Sequence, residues 1–79
     1  MSERQKQPTW EQRASRFLKA ELKRADITYE ELADRLAAQG LTETKASVAN
    51  KLSRGRFSAV FFLATLVAVG QRTIVLENI

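Results

Sequence analysis

The fold is decided by residues 27–55, which read ITYEELADRLAAQGLTETKASVANKLSRG. Thr28 and Glu31 have the spacing of an N-terminal capping box, and Ile27 precedes the cap, where it can pack against Leu32. Gly40 is suited to the left-handed residue that follows a helix. The pattern therefore predicts a helix between Thr28 and Gly40 whose buried side consists of Tyr29, Leu32, Ala33, Leu36 and Ala37.

A second helix is predicted after a tight connection over residues 41–43. Thr42 or Thr44 can cap this helix, which runs to about Arg54 and ends at Gly55. The spacing of its apolar residues indicates that the inward side chains are Val48, Ala49 and Leu52.

Two further helices flank this pair. Thr9 and Gln12 form a capping box for a first helix with one apolar face and one charged face, the latter bearing Glu11, Arg13, Arg16, Lys19 and Lys23. Ser58 caps a last helix that runs to about Val69. We expect the four aromatic residues on apolar stripes to be core: Trp10, Phe17, Phe61 and Phe62. We expect one shared core that contains Phe17, Leu32, Leu36, Val48, Leu52 and Leu66.

The fold class expected from these elements is all-α: a compact four-helix, helix-turn-helix domain over residues 9–70. Residues 1–8 are expected to be a flexible arm. Residues 71–79 contain a β-branched run, Thr73-Ile74-Val75-Leu76, which predicts a short extended segment or strand.

Composition argues against several classes of function. The chain has neither histidine nor cysteine, the commonest general base and the thiolate ligand of metal sites. We therefore expect no enzyme activity and no cofactor. The N-terminal residues have no apolar signal-peptide region, and the apolar run at residues 59–69 is shorter than a membrane span. A cytoplasmic protein without membrane contact is expected.

Positive charge is concentrated in the second half of the chain. The formal net charge is +4, and no acidic residue occurs between Thr44 and Leu76. The basic residues in that interval are Lys45, Lys51, Arg54, Arg56 and Arg72. A basic segment of this kind is typical of a surface that meets phosphate.

Residues 27–55 resemble the lambda-repressor-like helix-turn-helix of phage repressors. The run ITYEELADRL is similar to the first helix of that motif, and SVANKLSRG to its recognition helix and closing glycine. The resemblance covers roughly residues 14–70 and implies a small bacterial family with a DNA-binding fold. Two features depart from it: the turn over residues 37–44 is longer, and Tyr29 occupies a position where the family often has a phosphate-contacting glutamine.

The second helix of the pair carries the candidate DNA contacts. A helical wheel turns Glu43, Ser47, Asn50 and Arg54 outward. Asparagine suits adenine and arginine suits guanine, while Lys45 and Arg56 are better placed for phosphates. Glu43 would repel phosphate unless it accepts a hydrogen bond from a cytosine amino group. The full predicted set is Thr44, Lys45, Ser47, Asn50, Lys51, Arg54 and Arg56.

The function expected is a sequence-specific binder of double-stranded DNA, a transcriptional regulator. The alternative is a protein-interaction module on the same fold, either antitoxin-like or an adaptor subunit, because the last helix is apolar nearly all round. A homodimer through that helix and residues 73–79 would cover both apolar segments. The competing arrangement is a monomer whose tail folds back over its own first helix.

Overall fold

A computed structural model describes residues 7–79 of the chain. It contains four α-helices: α1 (Trp10–Ala25), α2 (Tyr29–Ala38), α3 (Lys45–Arg54) and α4 (Ala59–Ala68). No strand occurs between residues 7 and 79, so the expected all-α, four-helix class is confirmed over this range. Most of the predicted arm, residues 1–6, lies outside the described residues.

Each helix begins at a residue whose side chain accepts a hydrogen bond from the first turn. Thr9 and Thr28 form the predicted capping boxes with Gln12 and Glu31. Of the two candidate caps for α3, Thr44 is the one used, and Ser58 caps α4 as expected. Polar side chains therefore satisfy N–H groups that would otherwise lack partners at the helix starts.

The end of α2 confirms the role predicted for Gly40. Gly40 has a φ of 91°, and its N–H donates to the carbonyl of Ala37, while the N–H of Leu41 donates to the carbonyl of Leu36. These two bonds define a Schellman motif. The chain then crosses to α3 through residues 39–44, so the connection between the two helices is six residues long.

The core lies where α1 and α2 pack against both α3 and α4. Five of the six residues expected at its centre are buried, and Phe17 is partly buried against them. Trp10 contradicts its prediction, since the side chain is 63% exposed. It is the first residue of α1, beyond the reach of the core, and the Arg13 guanidinium lies 3.9 Å from its ring centroid. The buried core residues include Leu18, Leu22, Leu32, Leu36, Val48, Leu52, Phe61 and Leu66.

The N-terminal half of α1 is pressed against the C-terminal end of α3. Gly55 has a φ of 69°, and a Cβ built on it would lie 2.1 Å from the backbone oxygen of Glu11. One turn further along α1, the buried Ser15 hydroxyl donates to the carbonyl of Leu52. Only a glycine permits the two backbones to approach this closely.

The end of α4 is held by α2. Arg35 donates to the carbonyl oxygen of Ala68 at 2.8 Å, and Gln39 donates to that of Ala64 at 3.0 Å. The Ala68 carbonyl is among the last four of α4, which lack intrahelical partners, and the Ala64 carbonyl lies one turn earlier. The two long polar side chains therefore fix α4 across α2 without entering the core.

The tail packs on its own chain. Val75 is extended, but Leu76–Asn78 form one 3₁₀ turn, so the strand alternative is not formed. Arg13 donates to the Ile79 backbone oxygen at 2.8 and 3.1 Å, and Ile74 is packed against the core. The segment follows the fold-back path over the first helix.

Among residues 7–79, no helix has both the length and the apolar character that a membrane crossing requires.

Gly55→Ala is expected to destabilise the protein more than Gly40→Ala. Both glycines have positive φ, which costs a non-glycine residue roughly 1–2 kcal/mol. At Gly55 the new methyl group also meets the Glu11 backbone, and overpacking of this kind adds about 1–3 kcal/mol. At Gly40 a Cβ meets nothing within 4 Å. Urea unfolding of the two variants measures the difference, and equal losses would contradict the close α1–α3 contact.

Candidate nucleic-acid interface

Two reciprocal hydrogen bonds between Thr44 and Ser47 stabilise the first turn of α3. The Ser47 N–H donates to Thr44 Oγ1 at 3.0 Å, and the Thr44 N–H donates to Ser47 Oγ at 2.8 Å. The Ser47 hydroxyl lies 2.6 Å from Glu43 Oε1, to which it donates. Thr44 and Ser47, both predicted to contact DNA, therefore have their side chains engaged in fixing the start of the helix.

Glu43 does not project outward as the helical wheel suggested. Its side chain is only 9% exposed, and Lys51 Nζ lies 2.9 and 2.8 Å from its two carboxylate oxygens. The Lys51 ammonium is also 5.5 Å from the ring centroid of Phe61 on α4. Glu43 precedes the helix, so helical periodicity does not govern its direction.

This pairing changes the charge of the α3 surface. The Glu43 carboxylate, which would repel phosphate, is neutralised beside the helix, and Lys51 is the cation that neutralises it. The structure thus removes Lys51 from the predicted set of cations that face outward. It also removes the one acidic side chain at the start of α3 from the exposed surface around Asn50.

The remaining predicted contacts on α3 are exposed. Asn50 and Arg54 lie opposite the fully buried Val48 and Leu52, and Lys45 is exposed at the first residue of the helix. Lys45 and Arg54 are nine positions apart, which at 1.5 Å per residue is about 13 Å along the helix axis. Asn50 lies between them. We call Ala46, Asn50 and Arg54 the outer face of α3; Lys45 stands at the start of the helix, outside this face.

Arg56 extends this surface beyond the end of the helix. Its side chain is 79% exposed, and its Nε lies 3.8 Å from Glu11 Oε2 on α1. An exposed pair at that distance is weak and is screened by salt. The Arg56 guanidinium can therefore exchange Glu11 for another anion with little loss of free energy.

Two further cations adjoin α3, and sequence reasoning did not select them. Arg16 and Lys19 on α1 line a shallow groove of about 210 Å³ together with Ser53 and Arg54 on α3. The spacing of Arg16 and Lys19 places both on the charged face of α1, and this is visible in the sequence. The contact between that face and the end of α3 depends on the close approach of Gly55 to Glu11, which local patterns do not show.

The fold and this surface define a small all-helical domain with a basic face formed by α3 and the adjoining part of α1. The chain belongs to the DUF6471 family, described as a domain of unknown function, whose model matches residues 10–74. The match spans all four helices. No curated protein and no solved structure matches the chain.

The Glu43–Lys51 pair predicts a pH-dependent contribution to stability. Burial of the Glu43 carboxylate would by itself raise its pKa. The hydrogen bonds from Lys51 and Ser47, with the charge of Lys51, hold the pKa below its ordinary value. A depressed folded-state pKa stabilises the protein above the unfolded-state pKa, and this stability is lost as pH falls through the folded-state pKa.

Glu43→Gln should therefore lower the free energy of unfolding near neutral pH by about 1–2 kcal/mol, between the values for surface and buried pairs. The difference from the unsubstituted protein should shrink as pH falls below about 4. Chemical denaturation across a pH series measures this. Glu30→Gln, at an exposed site on α2, is the matched control. A loss that stays constant over the whole pH range would show that the Glu43 charge is unimportant.

Proposed function

We propose that this protein is a sequence-specific binder of double-stranded DNA and acts as a transcriptional regulator. The observation that carries the proposal is the outer face of α3, which bears Asn50 and Arg54, with Lys45 exposed at the helix start, while Glu43 is withdrawn into its pair with Lys51. A helix that enters the major groove needs such a face, with hydrogen-bond donors, small side chains and no unpaired carboxylate.

The size of α3 suits this role. Its ten residues span about 15 Å, and the major groove is about 12 Å wide. With the helix in the groove, Asn50 at its centre would pair with adenine and Arg54 with guanine. Lys45 and Arg56, at opposite ends, would contact the phosphates on either side.

The pairing of α2 with α3 supports a helix-turn-helix arrangement. The two helices pack directly on one another, and the buried Leu32, Leu36, Val48 and Leu52 hold them together. The six-residue connection leaves the outer face of α3 exposed. In this arrangement α2 would support the recognition helix. The resemblance of residues 27–55 to phage-repressor domains is consistent with that role.

We further propose that the protein acts as a homodimer through α4. Val60, Leu63 and Val67 are each more than half exposed and form one stripe at helical spacing. No residue of α4 is charged, so a symmetric pair of these helices would place no like charges together. One recognition helix covers only a half-site, and a dimer would supply two. Residues 73–79 are left out of this interface because they pack on their own chain.

The stripe also supports the second candidate function, a protein-interaction module of the antitoxin or adaptor kind. In that case the occupant of α4 would be a different protein, and the outer face of α3 would be an ordinary solvated surface. The two candidates differ in the effect of salt, because contacts with phosphate weaken steeply with salt and burial of an apolar stripe does not.

Asn50→Ala is expected to relax sequence preference. Loss of a bidentate contact to adenine should cost about 1–3 kcal/mol on the preferred site and little on other sites. Selection from random duplexes, followed by binding measurements, gives both affinities. Asn78→Ala, at an exposed asparagine of the tail, is the matched control.

Lys45→Ala and Arg56→Ala should act differently from Asn50→Ala. Each removes a phosphate contact, so each should weaken binding to all duplexes alike and reduce the slope of log affinity against log salt by about 1. Unchanged DNA affinity in all three variants would overturn the proposal.

Leu63→Glu should convert a dimer into a monomer, because the carboxylate would be buried against its symmetry copy at the centre of the stripe. Val75→Glu, on an exposed site of the tail, should leave the dimer intact. Sedimentation equilibrium at tens of micromolar measures both masses. A monomer mass for the unsubstituted protein at that concentration would rule out this assembly.

A further inference from the structure

We propose that the groove between α1 and α3 is a phosphate-binding site, through which the DNA backbone is held by α1 as well as by the recognition helix. The cations that form it are Arg16 and Lys19 on α1 and Arg54 on α3. This inference rests on the proposed function. It adds a surface on α1 that the outer face of α3 does not include.

The groove is equipped to bind a phosphodiester. Its polar lining adds the Ser53 hydroxyl and the Gln12 amide to the three cations, so neutral donors stand beside the charged ones. Within residues 7–79, the side chains of Arg16, Lys19 and Arg54 have no hydrogen-bond or ion-pair partner. A guanidinium can hold two phosphate oxygens at once, and an ammonium contributes a mobile point charge.

Glu11 is the carboxylate of the described residues that lines this groove. It lies beside Arg56, whose Nε is 3.8 Å from Glu11 Oε2. The charge around the groove is therefore positive even with Glu11 ionised. A phosphate that enters it would be held by Arg16 and Lys19 and would compete with Glu11 for Arg56, while Arg54, at the boundary with the outer face of α3, remains the residue assigned to guanine.

The other common phosphate-binding element, a helix N-terminus, is occupied in α2, α3 and α4. The Thr28, Thr44 and Ser58 side chains each accept an N–H from the first turn of their helix. At α2 the first turn also carries Glu30 and Glu31, which repel an anion. The groove instead offers cationic side chains, because Arg16, Lys19 and Arg54 lie together there.

The groove also extends the contact surface from the outer face of α3 toward α1. It is continuous with the outer face of α3, because Arg54 belongs to both. A duplex with its major groove on α3 would present one strand's phosphates to the C-terminal end of that helix. Arg16 and Lys19 stand on that side, so a single docked duplex can reach them.

The test measures duplex binding by fluorescence anisotropy over a salt series with Arg16→Gln/Lys19→Gln. Glutamine retains part of the aliphatic stem and removes the charge. If both cations contact phosphate, the slope of log affinity against log salt should become shallower by about 2, with sequence preference unchanged. The control is Arg24→Gln/Arg72→Gln, which removes the same charge from two exposed sites outside the groove.

Glu11→Gln provides a second variant with the opposite sign. It removes the carboxylate from the groove and should raise duplex affinity, an effect that a merely destabilised protein would not show. Thermal unfolding of each variant verifies that the fold is intact.

The outcomes separate this inference from the proposed function. If the groove variant loses no more affinity or salt slope than its control, and Glu11→Gln changes nothing, the groove does not bind phosphate. Loss of preference in Asn50→Ala would still uphold recognition by α3 in that case. If the unsubstituted protein binds no duplex at any salt concentration, both the groove proposal and the proposed function are overturned.

Discussion

The close approach of α1 to the end of α3 is the constraint on which the rest of the molecule depends. Because Gly55 has no side chain, the backbone of Glu11 can lie directly against it. The Ser15 hydroxyl then donates a hydrogen bond to the carbonyl of Leu52. Because α3 is held at this end by α1 and along its inner face by the core, its outer face is left exposed. The groove lined by Arg16 and Arg54 is a direct consequence of the same contact.

The ion pair at the start of α3 determines the charge of the surface beside it. An acidic residue immediately before a basic helix would weaken any contact with phosphate. Here Glu43 is turned aside and held by Lys51, and Ser47 ties it to the capping box. One pair therefore both strengthens the helix start and removes negative charge from the outer face. Because Lys51 is engaged with Glu43, the surface available to phosphate has fewer cations than the basic segment of the sequence contains.

The apolar residues of α4 lie on two faces of the helix. Phe61, Ala64 and Leu66 are buried against the core, while Val60, Leu63 and Val67 remain exposed. Arg35 and Gln39 hold the end of the helix from the α2 side and so leave that stripe uncovered. The tail does not cover it either, because Arg13 fixes the Ile79 oxygen beside α1. An exposed stripe of this kind is typical of an interaction surface.

The sequence by itself determined the elements of this protein. Capping pairs such as Thr28 with Glu31, glycines at helix ends and apolar spacing are local signals, and they placed four helices and most of the core correctly. These signals work because a cap and a helical face are set by residues three or four apart. The outward positions of Asn50 and Arg54 followed from the same periodicity.

Only the tertiary structure decided which residues from different parts of the sequence are in contact. Glu43 and Lys51 are eight residues apart, and the helical wheel had no means of pairing a residue in the loop with one in the helix. Trp10 fits an apolar stripe but stands at an end of α1 that the core does not reach. The tail lies beside α1, where it contacts Arg13 and Glu21, and residues 7–79 contain no strand with which it could pair. Arg16 and Lys19 join Arg54 because two distant backbones meet at Gly55, and such a contact depends on the packing of the whole chain.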